Sequence, residues 1–517
     1  MKKFLALALS MAMLVSALTG CGGSDTPQPD APASPDSSAT PGEVTYRKDI
    51  TIGINGKIVG TDPQENNNSY HGFLYAMVFD TLLHYSNEKK ELEPSLASEW
   101  STEDGQTYNF TIRDDVTFHD GTHMTANDVK WTFERGKTSG GSAALCKQME
   151  EITVVDDTHM TIKLASPNVD FPYLLTENSS SIMCQAAVEA DPTNGVSVGC
   201  GPWIIDSYEF GNYIDLNRNN EYWGELPITE KITLKYYPET SSRLIAVETG
   251  EAQVCQDMDP IEVDRIMNTE GLTVQGSPTS GSHYVTFNCT KAPFDNPDLR
   301  NAVLRGIDNQ EIIDICFNGL GSTADSTWGW NQFGYNGGTT KYEYDPEGAK
   351  AALAELGYNE SNPLKFTLSV STGSREPIGN LIQAQLKKIG VEVELNVMDT
   401  AGLAAATTAG DHTVAIYGIG YAAYGDDSRR LLVPGSTSNR SFYSNDRVTE
   451  LFELAAAETD DSIRQDYYEE IQQIVYEDAP YGIIIFIQAC YATDDGVGGI
   501  DFYPSTYNDF SYIYCVE

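Results

Sequence analysis

The sequence is poor in positive charge. Thirty-two lysines and arginines face 75 aspartates and glutamates in 517 residues, a formal net charge of −43. Nucleic-acid binding needs a basic surface, so that class of partner is not expected. The acidic excess is spread along the chain rather than collected in a tail, and its plainest consequence is solubility. Past the N-terminus no apolar run approaches bilayer-spanning length. The run GIIIFI at 482–487 is a buried-strand candidate, and the body of the chain is expected to be soluble. No C-x-x-C occurs, so a zinc ribbon or thioredoxin-type site is unsupported. G-x-S-x-G and the Walker A pattern are also absent. GLGSTA at 319–324 fits G-x-G-x-x-A, but the apolar run before it (303–317) reads as helix and 328–338 as loop. A dinucleotide fingerprint must follow a strand and open a helix, so this is a helix-ending turn. The acidic pairs Asp114-Asp115, Asp156-Asp157 and Asp426-Asp427 are sequence neighbours at turns, which does not describe a glycosidase acid and nucleophile. No catalytic residues are assigned, and the chain is not expected to be an enzyme.

What is present starts with Lys2 and Lys3, followed by an apolar stretch over 4–18 too short for a permanent membrane helix. LTGC at 18–21 is similar to a bacterial lipobox, which implies a signal peptide at 1–20, cleavage before Cys21 and a lipid on its sulfur. Residues 22–43 are rich in Gly, Ser, Pro, Asp, Ala and Thr and cannot offset their ordering entropy, so 21–43 reads as a flexible tether of roughly 25 Å mean reach. Eight of the nine cysteines lie beyond it, allowing about a hundred disulfide pairings or free buried thiols.

The body, 44–517, alternates between strand and helix patterns, which argues α/β. Ile50, Ile52 and Ile54 alternate as in a strand, and Phe73, Leu74, Met77 and Val78 open a helical pattern running to about Leu83. Asp104-Gly105 marks a hairpin turn, Tyr108, Phe110 and Ile112 a strand, and Val116 and Phe118 another. Thr125 and Asp128 are spaced as a capping box, placing Val129 and Phe133 on one helix face. His119 and His123 straddle a turn and share no helix face, so no metal site is expected. Asp345-Pro346 reads as an N-cap with proline at N1, and a helix over 378–389 precedes a strand over 391–397.

Several stretches, taken in order, resemble the extracytoplasmic solute-binding proteins of peptide and nickel ABC importers, solute-binding family 5. They are LEPSLASEW (92–100), DGQTYNFTIR (104–113), VTFHDG (116–121), TANDV (125–129), GPW (201–203), RNNEYWG (218–224), APFDNPDLRNA (292–302), YDP (344–346), LKKIGV (386–391) and EDAP (477–480). The resemblance implies a two-lobe periplasmic-binding-protein-like fold (type II, cluster C) with an extra subdomain on the first lobe. Lobe I would comprise 44–72, 195–279 and 489–517, the inserted subdomain 73–194, and lobe II 280–488. Hinge strands would lie near 274–288 and 488–495, with ligand buried by closure between the lobes.

The resemblance also implies where a ligand is read. From the first lobe the loop Asn66, Asn67, Asn68, Ser69 and Tyr70 would face the cleft, the alternative being a polar surface loop. Relatives carry a Trp-x-x-Asp element whose carboxylate meets a peptide's α-ammonium. Here YAAYGDD (421–427) places Tyr421 at the Trp position and Tyr424 at the Asp position, leaving Asp426 or Asp427 to serve after a shift. A buried ammonium without a carboxylate is costly, so the tyrosines could instead stack on a sugar, a ring or a blocked peptide. Arg375, preceding the 378–389 helix, stands where relatives use an arginine for the ligand carboxylate, or is an exposed loop residue. Trp328 and Trp330 either line the cleft or plug the core.

These readings converge on a monomeric, lipid-anchored receptor on the extracytoplasmic face of the membrane, without cofactor or metal. It would capture a small solute, most simply a peptide, and deliver it to ABC permease subunits served by cytoplasmic ATPases. A receptor for a glycan or metal chelate, and a sensory or adhesion module on the same fold, are the alternatives.

Overall fold

The alternating isoleucines 50, 52 and 54 are all buried in the strand Asp49–Ile54. That strand lies in the middle of a seven-stranded sheet, parallel to both Lys231–Tyr236 and Val254–Cys255. The computed structural model describes residues 44–65, 69–503 and 508–517; the signal peptide, Cys21, the tether, Asn66, Asn67 and Asn68 lie outside the described residues. The sheet runs in the order 272–275, 491–494, 254–255, 49–54, 231–236, 213–218, 203–209. A second, six-stranded sheet runs 321–322, 481–488, 278–287, 414–419, 365–371, 392–398. Within it Lys365–Ser371 and Glu392–Met398 are parallel, joined by the helix Arg375–Lys388. A third, antiparallel sheet is built from Ala97–Thr102, Thr107–Ile112, His159–Leu164 and Met149–Val154. The architecture is mixed α/β with two lobes. Among the described residues no helix is long and apolar enough to cross a membrane.

The chain passes between the two large sheets twice, each time through a two-residue link. Residues 276–277 connect Leu272–Gln275 to Pro278–Phe287, and 489–490 connect Tyr481–Gln488 to Tyr491–Asp494. The links touch: Ala489 N donates to Ser277 O at 2.9 Å. A Cβ at Gly276 would fall 2.0 Å from the Ala489 carbonyl oxygen, so only glycine allows this approach.

Local signals act as expected at several points. Thr125 and Asp128 form a capping box on the helix Ala126–Gly136, and Val129 and Phe133 are fully buried beneath it. Asp345 caps Pro346–Glu355 through Gly348 N at 2.8 Å. His119 Nε2 donates to the Gly201 carbonyl, 3.0 Å away.

Three expectations need correcting. Residues 116–118 form no strand, only the single bridge Thr117 to His123 around Gly121 at φ +84°. The helix that begins at Ser69 ends at Val78, not Leu83. There the loop 199–201 comes in, Gly201 N donates to Val78 O at 3.0 Å, and a Cβ at Gly199 would sit 2.0 Å from that oxygen. The run 303–317 splits into Pro297–Arg305 and Asn309–Cys316, because Asp308 caps the second helix by accepting from Glu311 N at 3.0 Å.

Candidate functional site

Where the two large sheets and the subdomain face one another they enclose a cavity of about 870 Å³, within the size range of small-molecule sites. The side of the seven-stranded sheet contributes Tyr70, Gln256, Asp257, Tyr491 and Asn508, and the segment 171–180 contributes Leu174 and Glu177. The side of the six-stranded sheet contributes Tyr421, Tyr424, Asp427, Arg430 and Thr279, which lies in the strand Pro278–Phe287.

The acid on the first wall is set by its backbone. Asp257 follows the short strand Val254–Cys255 with φ +49°. Arg243, buried in the helix Thr240–Glu248, fixes that turn by donating to the carbonyls of Tyr237, Gln256 and Asp257 at 2.8, 3.0 and 3.2 Å. Met258 N donates to Cys490 O at 2.7 Å, tying the turn to the interlobe link. The Asp257 carboxylate accepts from Asn55 Nδ2 at 2.6 Å. It is open to the cavity but walled by protein, and this desolvation raises its pKa against the opposing pull of Arg243 and Asn55.

The opposite wall begins where the strand Val414–Ile419 runs out. Ser280 Oγ donates to Tyr421 O at 2.7 Å, pinning this loop to the strand that leaves the interlobe link. Tyr421 is almost fully buried, and its hydroxyl has no partner among the described residues. Asp427 accepts from Ala422 N at 3.0 Å and forms a two-point pair with Arg430, with both contacts at 2.9 Å. Arg430 also donates to Gly420 O. Lobe II therefore presents a guanidinium already paired two-point with its own aspartate. Tyr424 stacks obliquely on the subdomain's Tyr173, with ring centroids 6.2 Å apart.

The structure brings some expected residues to this cavity and not others. Ser69 opens the helix Ser69–Val78, and Tyr70 lies on the wall, as do Tyr421, Tyr424 and Asp427. Asp426 does not reach it: it points into a neighbouring recess and pairs with Arg429 at 2.8 Å, and burial pushes its carboxyl up to about 7 despite that arginine. Trp328 is a core residue, stacked on Phe452 and donating to Phe333 O at 3.1 Å. Trp330 supports the cavity from behind through a bond to Thr279 O at 2.9 Å. Arg375 opens its helix away from the cavity wall. Its guanidinium lies 5.4 Å from the Tyr417 ring centre and bonds Ser371 Oγ at 3.1 Å, and burial lowers its pKa. Trp328, Trp330, Arg375 and Asp426 are therefore corrected as lining residues.

Asp257 and Arg430 were not anticipated. Arg430 had a signal: DDSRR at 426–430 spells two aspartate-to-arginine pairs at i, i+3 in a chain short of arginine. Asp257 had none, since its place depends on Arg243 and Asn55 arriving from elsewhere.

Comparison with known proteins places this geometry. The family model for bacterial extracellular solute-binding proteins, family 5 middle, matches residues 91–441. The chain is 28% identical over 431 residues to the probable D,D-dipeptide-binding periplasmic protein DdpA of Escherichia coli K12, covering 80% of this chain and 83% of that protein. It is 23% identical over 478 residues to the glutathione-binding protein GsiB of the same strain, covering 89% and 93%. The fold superposes on the ABC transporter substrate-binding protein CtaP of Listeria monocytogenes with a TM-score of 0.82 at 23% identity, over 92% of this chain and 100% of that one.

Proposed function

The chain belongs to the bacterial extracellular solute-binding proteins of family 5, and from that premise we propose that it is the lipid-anchored receptor of an ABC importer for peptides. Cys21 would carry the anchor and residues 21–43 the tether. The body would take a peptide into the interlobe cavity and pass it to a membrane permease. The observation that carries this reading is the opposition of charge across the cavity, with Asp257 on one wall and Arg430 on the other. A zwitterion of suitable length can meet both at once, its α-ammonium at Asp257 and a carboxylate at Arg430. Such a ligand contacts both lobes, so it binds the closed form better than the open one and shifts the hinge equilibrium. The names of DdpA and GsiB, which specify a dipeptide and glutathione, support the same ligand class.

Thermal-shift and calorimetric titrations with di- to pentapeptides, neutral sugars and a nickel–histidine chelate test this. Peptides are expected to raise the melting temperature, tighter binders more, with the logarithm of concentration over Kd. A sugar or chelate that stabilises where no peptide does overturns the peptide assignment and leaves the receptor reading with another solute.

A further inference from the structure

Beside the main cavity lies a second one of about 310 Å³, lined jointly by the subdomain, the C-terminal segment and the loop 422–424. The two cavities share Glu177, Asn178, Ala422, Tyr424 and Tyr503 as walls, so Tyr424 stands at the partition between them. The second cavity is acidic and aromatic. Asp80 and Asp509 line it, with Tyr85, Tyr173, Trp223 and Tyr512 around them. Among the described residues no lysine or arginine does so, and His84 is the one basic group on the wall. Arg113 lies over the Trp223 ring at 4.5 Å but is held by Asp115 at 2.6 Å.

Among the described residues the walls give these acids neutral hydrogen-bond donors but no lysine or arginine. Asp80 accepts from Trp223 Nε1 at 2.8 Å and Tyr222 Oη at 3.3 Å, and Asp509 from Ser511 N at 2.8 Å. Neither makes an ion pair among the described residues, and burial raises both pKa values, Asp80 to about 7 with Asp509 adding to the rise, and Asp509 with Asp501 adding to its own. A separate observation points the same way. Asn87 and Asn331 also line this cavity, and the side-chain oxygen of each is buried without a hydrogen-bond donor. Their amide nitrogens are already committed, to Asp501 Oδ1 and Tyr421 O, which fixes those oxygens as acceptors. Paired acids, unfilled acceptors and aromatic faces together suit one chemistry, a protonated amine or guanidinium on a flexible stem.

We propose that this second cavity is a subsite for the cationic side chain of a peptide held in the main cavity, so that the receptor selects lysine- or arginine-containing peptides. The inference rests on the peptide reading above. The side chain passes Tyr424 and places its charge between Asp80 and Asp509.

The test is calorimetry on the full folded protein with tripeptides carrying lysine, norleucine or glutamate at each position in turn. At one position lysine is expected to bind roughly ten-fold or more tightly than norleucine, and glutamate more weakly than both. That preference should shrink as salt is raised, and the lysine-to-norleucine ratio should fall toward unity in Asp80→Asn/Asp509→Asn. Equal binding of lysine and norleucine peptides at all three positions overturns the subsite while leaving the peptide reading intact. Absence of binding by any peptide overturns both. The salt series on the unmodified protein decides the matter even if the double variant does not fold.

Discussion

On either side of Tyr424 the protein handles buried acid in opposite ways. At the junction of the subdomain with lobe II, each of three aspartates has its own arginine: Asp170 with Arg464, Asp426 with Arg429 and Asp427 with Arg430. Along the second cavity Asp80 and Asp509 have none among the described residues. The junction is further knitted together, since Asp170 accepts from Asp426 N at 3.3 Å and Val169 N donates to Ala456 O at 3.0 Å. Arg464 also lies 4.5 Å from the centre of the Phe333 ring. There the fold supplies the counter-charge: the Asp170 and Asp426 pairs are structural, and the Asp427–Arg430 pair also lines the main cavity. In the second cavity the fold leaves the charge unanswered, which costs stability unless something from outside answers it.

The largest test of this contrast is Arg464→Met. It strands Asp170, only 2% exposed, without its cation, and should cost about 3–5 kcal/mol in chemical denaturation. Asp170→Asn with Arg464→Met should recover most of that loss; if it does not, the pair is more than a matched charge. Asp257→Asn comes next. Removing the carboxylate that faces Arg430 across the main cavity should weaken peptide binding by about ten- to a hundred-fold. An unchanged affinity would move the α-ammonium elsewhere.

Asp80→Asn should have the smallest effect, and one of opposite sign. The folded-state pKa of Asp80 is raised to about 7 from its usual 3.8. Between those values the folded protein holds a proton that the unfolded chain has released, so this group's contribution to stability falls as pH rises through that window. Above it the full cost of the buried charge is present. Asparagine removes the slope, so Asp80→Asn should melt a few degrees higher than the unmodified protein at pH 8 and show little difference at pH 4. A variant that is less stable at both values would show the Trp223 and Tyr222 bonds outweighing the charge.

Much of the fold could be read locally. Isoleucine alternation marked the strand Asp49–Ile54, and Thr125 and Asp128 marked the start of the helix Ala126–Gly136, because each signal acts within a few residues. Failures came where distant chain intervenes, as at Val78, where the 199–201 loop ends a helix whose own sequence would continue it. The cavity was less legible. The YAAY loop reached the wall, but Trp328 went to the core because Phe452 and Tyr468 pack against it from helices more than a hundred residues away. Arg375 was drawn to the Tyr417 ring rather than to the cavity.

By itself the sequence determined the family, the α/β order of elements and the scarcity of positive charge, since all three are carried by residue identity and near-neighbour spacing. Only the tertiary structure decided how the few cations are shared out. Asp170 and Arg464 are 294 residues apart and meet, whereas Asp80 and Asp509 converge on one cavity that, among the described residues, no lysine or arginine lines. Charge compensation depends on three-dimensional distance and on the low dielectric of the packed interior, and neither is written in the order of the chain.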